Sequence, residues 1–366
     1  MNKKEVKKAP ALRFKGFTND WEQRKLKDCL EINSGRDYKH LHSGNIPVFG
    51  TGGYMLSVDE ALSYKNAIGI GRKGTIDKPQ LLIAPFWTVD TLFFLTPEND
   101  TDLYFLFYFF QKVNWKKYDE STGLPSLSKK TISTIKIKTP SKNEQIKIGT
   151  LIQKVNNLIS LQQRKLKLLK EIRKGIVENI RDNNFEYKEQ KNDFKDVKIK
   201  DMFKITRGKV LPKEKISSNK ISPNIYPVFS SQTLNNGLLG FYKDYLFQNA
   251  ITWTTDGANA GTVNFRNEKF YSTNVNGVLL QKKIKPDLLT ADLLNLVAFK
   301  YVSKVGNPKL MNNTMANIRI KIPSNTNARI FYSKILNKCD TKIDFINKKI
   351  DYLTTFKRFL LQNMFI

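Results

Sequence analysis

The sequence contains few of the residues that hold small proteins together through disulfides or metals. Its 366 residues include two cysteines, Cys29 and Cys339, and two histidines, His40 and His42. Each cysteine lies within an apolar pattern, which fits a reducing compartment and argues against a disulfide framework. The histidines flank a single residue in a polar stretch, so we expect a solvated loop there and no metal site.

The sequence also lacks the motifs that carry several common reactions. It has no strand–GxxxxGK(S/T)–helix phosphate loop, and residues 71–75 (GRKGT) have neither the spacing nor the ending of one. It has no Asn/Asp-Pro-Pro-aromatic segment of the kind that amino-methyltransferases use, and no Cys–His cluster with zinc spacing. We therefore expect no catalysis, cofactor or metal in this chain. A nuclease or methyltransferase with unfamiliar motifs remains an alternative.

Long apolar runs are absent as well. The longest, Leu103–Phe110, is far shorter than the roughly 20 residues that cross a bilayer. The basic start of the chain has no apolar stretch behind it, so we expect no signal peptide, no membrane partner and a cytoplasmic location.

Positive charge is in large excess. Lysine and arginine number 62 against 33 acidic residues, giving a net charge of +29. Such a charge opposes compaction unless a polyanion balances it, and nucleic acid is the default polyanion. The 40% hydrophobic content, with 24 phenylalanines, excludes a disordered basic tail. A ribosomal or membrane-surface protein is the plainer alternative.

Two long segments carry apolar residues at alternating spacings of four and three. This 3.5-residue period is typical of a coiled coil and predicts two long helices, at 142–181 and 328–366. Gln162 and Arg173 occupy positions in the first apolar seam, and Lys357 falls on the second. The seam residues are Ile152, Val155, Ile159, Leu166, Leu169 and Ile176 in the first helix, and Leu336, Ile343, Ile346, Ile350, Leu353 and Leu360 in the second.

The two helices belong to an internal repeat. Seam positions 152, 159 and 166 align with 336, 343 and 350, a constant shift of 184. The strand-like segments before each helix also correspond, as in IPVFGTG and YPVFSSQ. The predicted order is a basic arm (1–20), a β-rich globule (21–140), a long helix (141–182), a linker with a second globule (183–325) and a second long helix (326–366).

This order predicts an α+β fold with a pseudo-twofold internal repeat. An axis across the helices would make them antiparallel, which the twofold symmetry of DNA favours, although parallel packing fits the sequence too. Within the first globule we expect a strand–turn–strand at 66–76, a buried helix at 103–118, and a loop followed by a strand at 121–140.

Turns of both globules offer side chains suited to DNA. Arginine and lysine can pair with guanine or phosphate, and asparagine and glutamine can pair with adenine. For each residue an ordinary solvated turn is the alternative, but repetition in a strongly basic protein favours DNA contact. The candidates are Arg36, Arg72, Lys73, Lys129 and Lys130 in the first globule, and Arg207, Lys209, Gln232, Asn259, Lys309, Asn312 and Asn313 in the second.

Four segments carry a family resemblance: LRFKGFTNDWEQRKLKD, TISTIKIKTPSKNEQIKIG, TMANIRIKIPSNTNARIFY and LQQRKLKLLKEIRKGIVENI. Over nearly its whole length the chain resembles the DNA-specificity subunit of type I restriction–modification enzymes. The resemblance implies two target-recognition domains, each reading one half of a split DNA site, and two long antiparallel helices between them.

The same resemblance implies the partners. Methylation subunits, two of them, would dock on the helices and use S-adenosylmethionine, and a restriction subunit would supply ATP- and Mg²⁺-dependent cleavage. The chain itself would catalyse nothing. A further alternative is a coiled-coil protein that binds nucleic acid without sequence preference.

Overall fold

The computed structural model describes residues 9–98, 100–187, 190–191, 193–231 and 234–366. The chain forms two compact units. Unit 1 contains the residues up to Arg164 together with Lys348–Ile366, and unit 2 contains Lys165–Asn347. Each unit therefore combines one β-rich globule with parts of both long helices. No helix within the described ranges is long and apolar enough to cross a membrane.

Unit 1 is built from short, mostly antiparallel strands. They form a four-stranded sheet (β2-β8-β5-β6), a three-stranded sheet (β4-β3-β7) and the pair β1-β9. The strands are β1 (Glu22–Lys25), β2 (Leu30–Ser34), β3 (Ser43–Gly50), β4 (Gly53–Val58), β5 (Ala67–Gly71), β6 (Gln80–Leu82), β7 (Trp87–Thr88), β8 (Leu92–Pro97) and β9 (Lys136–Thr139).

The α-helices that begin among the described residues of unit 1 are α1 (Leu103–Lys112), α2 (Lys129–Thr134) and α3 (Lys142–Arg181). Helix α1 is capped by Asp102, whose carboxylate accepts the Phe105 N–H at 2.8 Å. Its buried aromatic face packs into the same core as Ile68 and Ile70 of β5.

Three sequence expectations for unit 1 need correction. The helix predicted at 103–118 ends at Lys112, because the backbone becomes extended at Val113; residues 115–118 form a separate 3-10 turn. The segment 66–76 contains one strand, whose hairpin partner is the later β6. The loop expected before the strand within 121–140 contains α2, capped by the Ser128 hydroxyl, which accepts the Thr131 N–H at 3.1 Å.

Unit 2 repeats this arrangement with a larger sheet, in the order β13-β18-β16-β17-β14-β15. Its strands are β10 (Glu186–Tyr187), β11 (Gln190–Lys191), β12 (Phe194–Lys198), β13 (Phe203–Arg207), β14 (Tyr226–Phe229), β15 (Leu238–Tyr242), β16 (Phe247–Thr254), β17 (Val263–Ser272), β18 (Asn276–Gln281) and β19 (Arg319–Pro323). Its further helices are α4 (Ile199–Met202), α5 (Leu288–Ala298), α6 (Asn312–Asn317) and α7 (Thr326–Asn363), of which α7 ends in unit 1. Asn312 and Asn313, which were expected in a turn, begin α6, and part of the predicted linker forms the pair β10-β11.

Equivalent contacts show that the two units are copies of one plan. Strand β3 pairs in parallel with β7, and β14 pairs in parallel with β17 in the same way. Gln145 on α3 donates its amide N–H to the Pro140 carbonyl at 2.9 Å. Arg329, 184 positions later on α7, donates to the Pro323 carbonyl at 3.1 Å. The α+β fold with an internal repeat is confirmed.

The apolar seams join the long helices inside each unit. In unit 1, Ile148 and Ile152 near the start of α3 share a core with Leu360 and Met364 near the end of α7. In unit 2 the end of α3 packs against the beginning of α7, so the helices run antiparallel in both units and the parallel alternative is wrong. Of the predicted seam residues, Ile152, Val155, Leu336, Ile346, Leu353 and Leu360 are buried, and Ile159, Leu166, Leu169, Ile176, Ile343 and Ile350 are half-buried.

Candidate nucleic-acid interface

Three of the predicted residues of unit 1 line one open groove: Arg72, Lys73 and Lys129. The groove forms because the loop after β5 is tied to the segment before α2. The Arg72 carbonyl accepts the Leu127 N–H at 2.9 Å, and the Arg72 N–H donates to the Thr91 carbonyl at 2.7 Å. Two segments more than 50 positions apart thus present their cations side by side.

The cations of this groove are free for a partner. All three side chains are exposed, and in the described part of the chain none of them makes an ion pair. The Arg72 guanidinium lies 5.9 Å from the centroid of the Phe93 ring, which also lines the groove. Lys129 opens α2, where a cation is unfavourable to the helix dipole, so helix stability does not explain it.

Acidic residues organise the loop beside the groove. The Glu120 carboxylate accepts hydrogen bonds from the hydroxyls of Ser128, at 2.8 Å, and Thr131. These bonds hold the pKa of Glu120 below its usual range. Lys130 is exposed next to Lys129, and its charge also lowers the pKa of Glu120.

Arg36 lies outside that groove, after β2. Its N–H donates to the Thr88 carbonyl at 2.8 Å, and its carbonyl accepts the Trp87 indole N–H at 2.9 Å. These bonds fix the backbone and leave the side chain exposed. The preceding Gly35 is required because a Cβ there would lie 2.0 Å from the Val89 carbonyl oxygen.

The predicted residues of unit 2 divide between several places. Arg207 Nη2 lies 3.8 Å from the sulfur of Met311, the residue immediately before Asn312. Arg207 Nε and Asn312 Oδ1 are buried without a partner among the described residues. Asn313 is exposed on α6; Lys209 is exposed after β13, and Lys309 is exposed where its backbone bridges to Asp256 and Ser303. Gln232 lies outside the described residues.

Asn259 belongs to a separate polar pocket on the sheet of unit 2, most of which the sequence reasoning missed. Its lining residues share one trait: all but Gly237 carry a polar side chain, and none is acidic. They are Ser230, Asn236, Gly237, Thr252, Thr254, Asn259, Thr262, Asn264, Arg266 and Asn276. The available signal was the alternation of Thr252 with Thr254 and of Asn264 with Arg266, which places polar side chains on one face of two paired strands.

Two of the polar residues in the helix seams, Arg173 and Lys357, lie at equivalent positions of the two units. In unit 2, Arg173 Nη2 donates to Asp292 on α5 at 2.8 Å and to Asp340 on α7 at 2.9 Å. In unit 1, Lys357, 184 positions after Arg173, donates to Asn156 Oδ1 at 3.0 Å. The Lys357 ammonium also lies 5.7 Å from the centroid of the Tyr108 ring. Burial raises the pKa of Asp292 to about 6, although Arg173 opposes the shift, and burial lowers the pKa of Lys357.

Comparison with known proteins accounts for the repeat. The family model of the type I restriction modification DNA specificity domain matches residues 18–171 and again 191–355. The chain belongs to this specificity family. Each match covers one globule together with most of the helix that follows it.

Relatives of this family occur in Mycoplasma pneumoniae. A protein named there as a candidate type I specificity subunit is 34% identical over 214 residues, which are 57% of this chain and 76% of that protein. The specificity subunit of the type I restriction enzyme MpnII is 40% identical over 134 residues, 36% of this chain and 39% of its own length.

Solved structures show the same fold. The crystal structure of the type I restriction–modification S subunit from M. genitalium superposes with a TM-score of 0.77 at 16% identity, covering 98% of this chain and 99% of that one. A chain from a study of complex assembly in the type I restriction–modification system has a TM-score of 0.51 at 12% identity, with coverages of 94% and 97%.

Proposed function

We propose that this chain is the non-catalytic DNA-reading subunit of a type I restriction–modification complex, and that each unit reads one half of a split DNA site. The observation that carries the proposal is that the specificity-domain family model matches twice, once on each copy of the repeat. The predicted DNA-binding residues are the side chains that would do the reading. Methylation subunits carrying S-adenosylmethionine, two of them, would dock on the long helices, and a restriction subunit using ATP and Mg²⁺ would complete the complex in the cytoplasm.

The two half-sites should differ, because equivalent positions carry different side chains. Lys129 and Lys130 at the start of α2 are replaced by Asn312 and Asn313 at the start of α6. Lysine pairs with guanine or phosphate, whereas asparagine pairs with the edge of adenine. One framework with two sets of side chains would give an asymmetric recognition sequence.

The test is selection of bound sequences from a random duplex pool by the full chain, alone and with its methylation subunits. The double variant Arg72→Ala, Lys129→Ala is expected to relax or weaken selection at one half-site only. Asn313→Ala is expected to alter the other. Lys65→Ala is the matched control. Lys65 is also an exposed cation next to β5, but it lies before the strand, whereas Arg72 lies after it.

Two outcomes would contradict the proposal. A pool without any enriched motif would favour the coiled-coil protein that binds nucleic acid without sequence preference, whose affinity falls with salt equally for all duplexes. Turnover of DNA or S-adenosylmethionine by the purified chain alone would favour the enzyme alternative.

A further inference from the structure

The polar pocket of unit 2 contains a buried cation that makes no ion pair with a described residue, although the charge of Glu268 acts on it. Arg266 on β17 is 9% exposed, and its guanidinium stacks 3.7 Å from the centroid of the Phe229 ring. One of its N–H groups, on Nη2, donates to the Asn236 carbonyl, while Nε has no protein partner among the described residues. Burial lowers the pKa of Arg266 to about 10, so the side chain is still charged at neutral pH.

The fold itself does not require an arginine at this place. In unit 2, Arg266 pairs across the hairpin with Ala250, and in unit 1 the residue paired with the equivalent Ala67 is Leu82. Leu82 is fully buried in an apolar cluster with Phe86 and Phe94. The same sheet is therefore built with a leucine in one unit and with a desolvated guanidinium in the other. A desolvated charge is costly unless it is paired, so Arg266 calls for another explanation than packing.

The other side chains that line the pocket, like the arginine, are suited to an anion. Thr254 on β16 and Asn264 on β17 offer a hydroxyl and an amide as donors, and none of the lining residues carries a negative charge. The cavity volume is about 70 Å³, several times the roughly 10–15 Å³ that one water needs. Such a space is large enough for a small oxyanion.

We infer that this pocket binds a single phosphate group, with Arg266 as its charged ligand and the hydroxyls and amides of the walls as further donors. Charge-assisted hydrogen bonds from a guanidinium to phosphate oxygens are short and strong, and they would satisfy the unpartnered Nε–H. Under the proposed function, on which this source of the phosphate rests, the group belongs to the DNA backbone. A free phosphate ion offers the same chemistry.

The first arm of the test uses inorganic phosphate and the full chain, titrated by ³¹P NMR at an ionic strength held constant with chloride. The wild type is expected to show saturable binding, and Arg266→Leu is expected to weaken it at least 10-fold. This variant installs the residue that unit 1 uses, and its thermal melt reports whether it folds. Thr254→Val, which removes one donor and keeps the shape, is expected to weaken binding about 3-fold. Lys204→Met, an exposed cation on β13, is the control and should change affinity less than 2-fold.

The second arm measures the affinity of the full chain for duplex DNA as a function of salt. Loss of one phosphate contact is expected to make the slope of log K against log salt shallower by about 0.9 in Arg266→Leu. A shallower slope assigns the phosphate to the DNA backbone, and loss of inorganic phosphate binding with an unchanged slope assigns it to a free ion. If neither quantity changes in Arg266→Leu, the inference is overturned. If the chain selects no DNA motif, the proposed function fails, and the phosphate arm still decides the pocket.

Discussion

The variant Arg173→Met should show how much the stability of unit 2 depends on the cation in its polar layer. Arg173 lies between Asp292 and Asp340, with their side chains 20%, 18% and 37% exposed respectively. Removing one partner of a buried ion pair costs about 3–5 kcal/mol, because a desolvated charge is left behind. Since this layer is partly open to solvent, we expect a loss of about 2–3 kcal/mol in the free energy of unfolding.

The loss should depend on pH in a defined direction. Burial raises the pKa of Asp292 to about 6, above the ordinary value of 3.8, so the folded state binds its proton more tightly than the unfolded state does. The stabilisation that comes from this tighter proton binding by Asp292 is therefore fully present below pH 4, and it is lost as pH rises through about 6. Without the guanidinium the pKa of Asp292 should rise further. The defect of Arg173→Met should consequently be smaller at pH 5 than at pH 8.

Urea unfolding followed by far-UV circular dichroism at the two pH values measures both effects, with an expected midpoint shift of roughly 1 M at pH 8. Hydrogen exchange on α5 and α7 would locate the loss in unit 2. Lys174→Met is the matched control, because Lys174 is exposed and forms a surface pair with Glu178. It should cost less than about 0.5 kcal/mol. A defect of that size in Arg173→Met, or an equal defect at both pH values, would refute the reasoning.

Further predictions concern the long helices. Gly149→Ala should destabilise unit 1 by about 2 kcal/mol, since its Cβ would lie 2.6 Å from Asp102 Oδ1. Gly175→Ala, whose Cβ meets no atom within 4 Å, should instead stabilise α3 by up to about 1 kcal/mol, and equal effects in urea unfolding would contradict both expectations. Lys357→Met should be neutral or stabilising by about 1 kcal/mol, because it replaces a half-buried ammonium with an apolar chain. Because burial lowers the pKa of Lys357, the wild type should gain stability relative to this variant as pH rises towards 10.5; parallel melting curves from pH 8 to 10.5 would count against it.

The sequence predicts the two long helices well, because an apolar seam with a 3.5-residue period follows directly from helical geometry. Residues 142–181 were expected to be helical, and α3 is Lys142–Arg181. The short helices α2 and α6 escaped prediction because six residues are too few to show a period. The usable signal for α2 was local, a serine at position 128 placed to cap the N–H of Thr131.

The candidate site was less predictable because its geometry depends on distant partners. Arg173 is visible as a charged residue in an apolar seam, but its partner Asp292 lies 119 positions away. In the sequence, nothing distinguishes Arg266 from the other basic residues of this basic chain. Its desolvated charge becomes visible only in the structure, where Phe229 and Asn236 pack around it. Arg72 and Lys129 were both proposed from turn chemistry; their common groove appears only in the folded chain.

The junction between globule and helix limits which segments of the chain could be exchanged between proteins of this fold. In unit 1 the bare backbone of Gly149 lies against Asp102 and Phe105. At the position 184 residues later, the Ser333 hydroxyl accepts the Leu289 N–H at 3.2 Å. A globule transferred without its own helix residues would meet a serine where only glycine fits, or lose that hydrogen bond. The portable segment is therefore a globule with its matched helix ends, and productive crossovers would fall inside α3 and α7 instead of at the margins of the sheets.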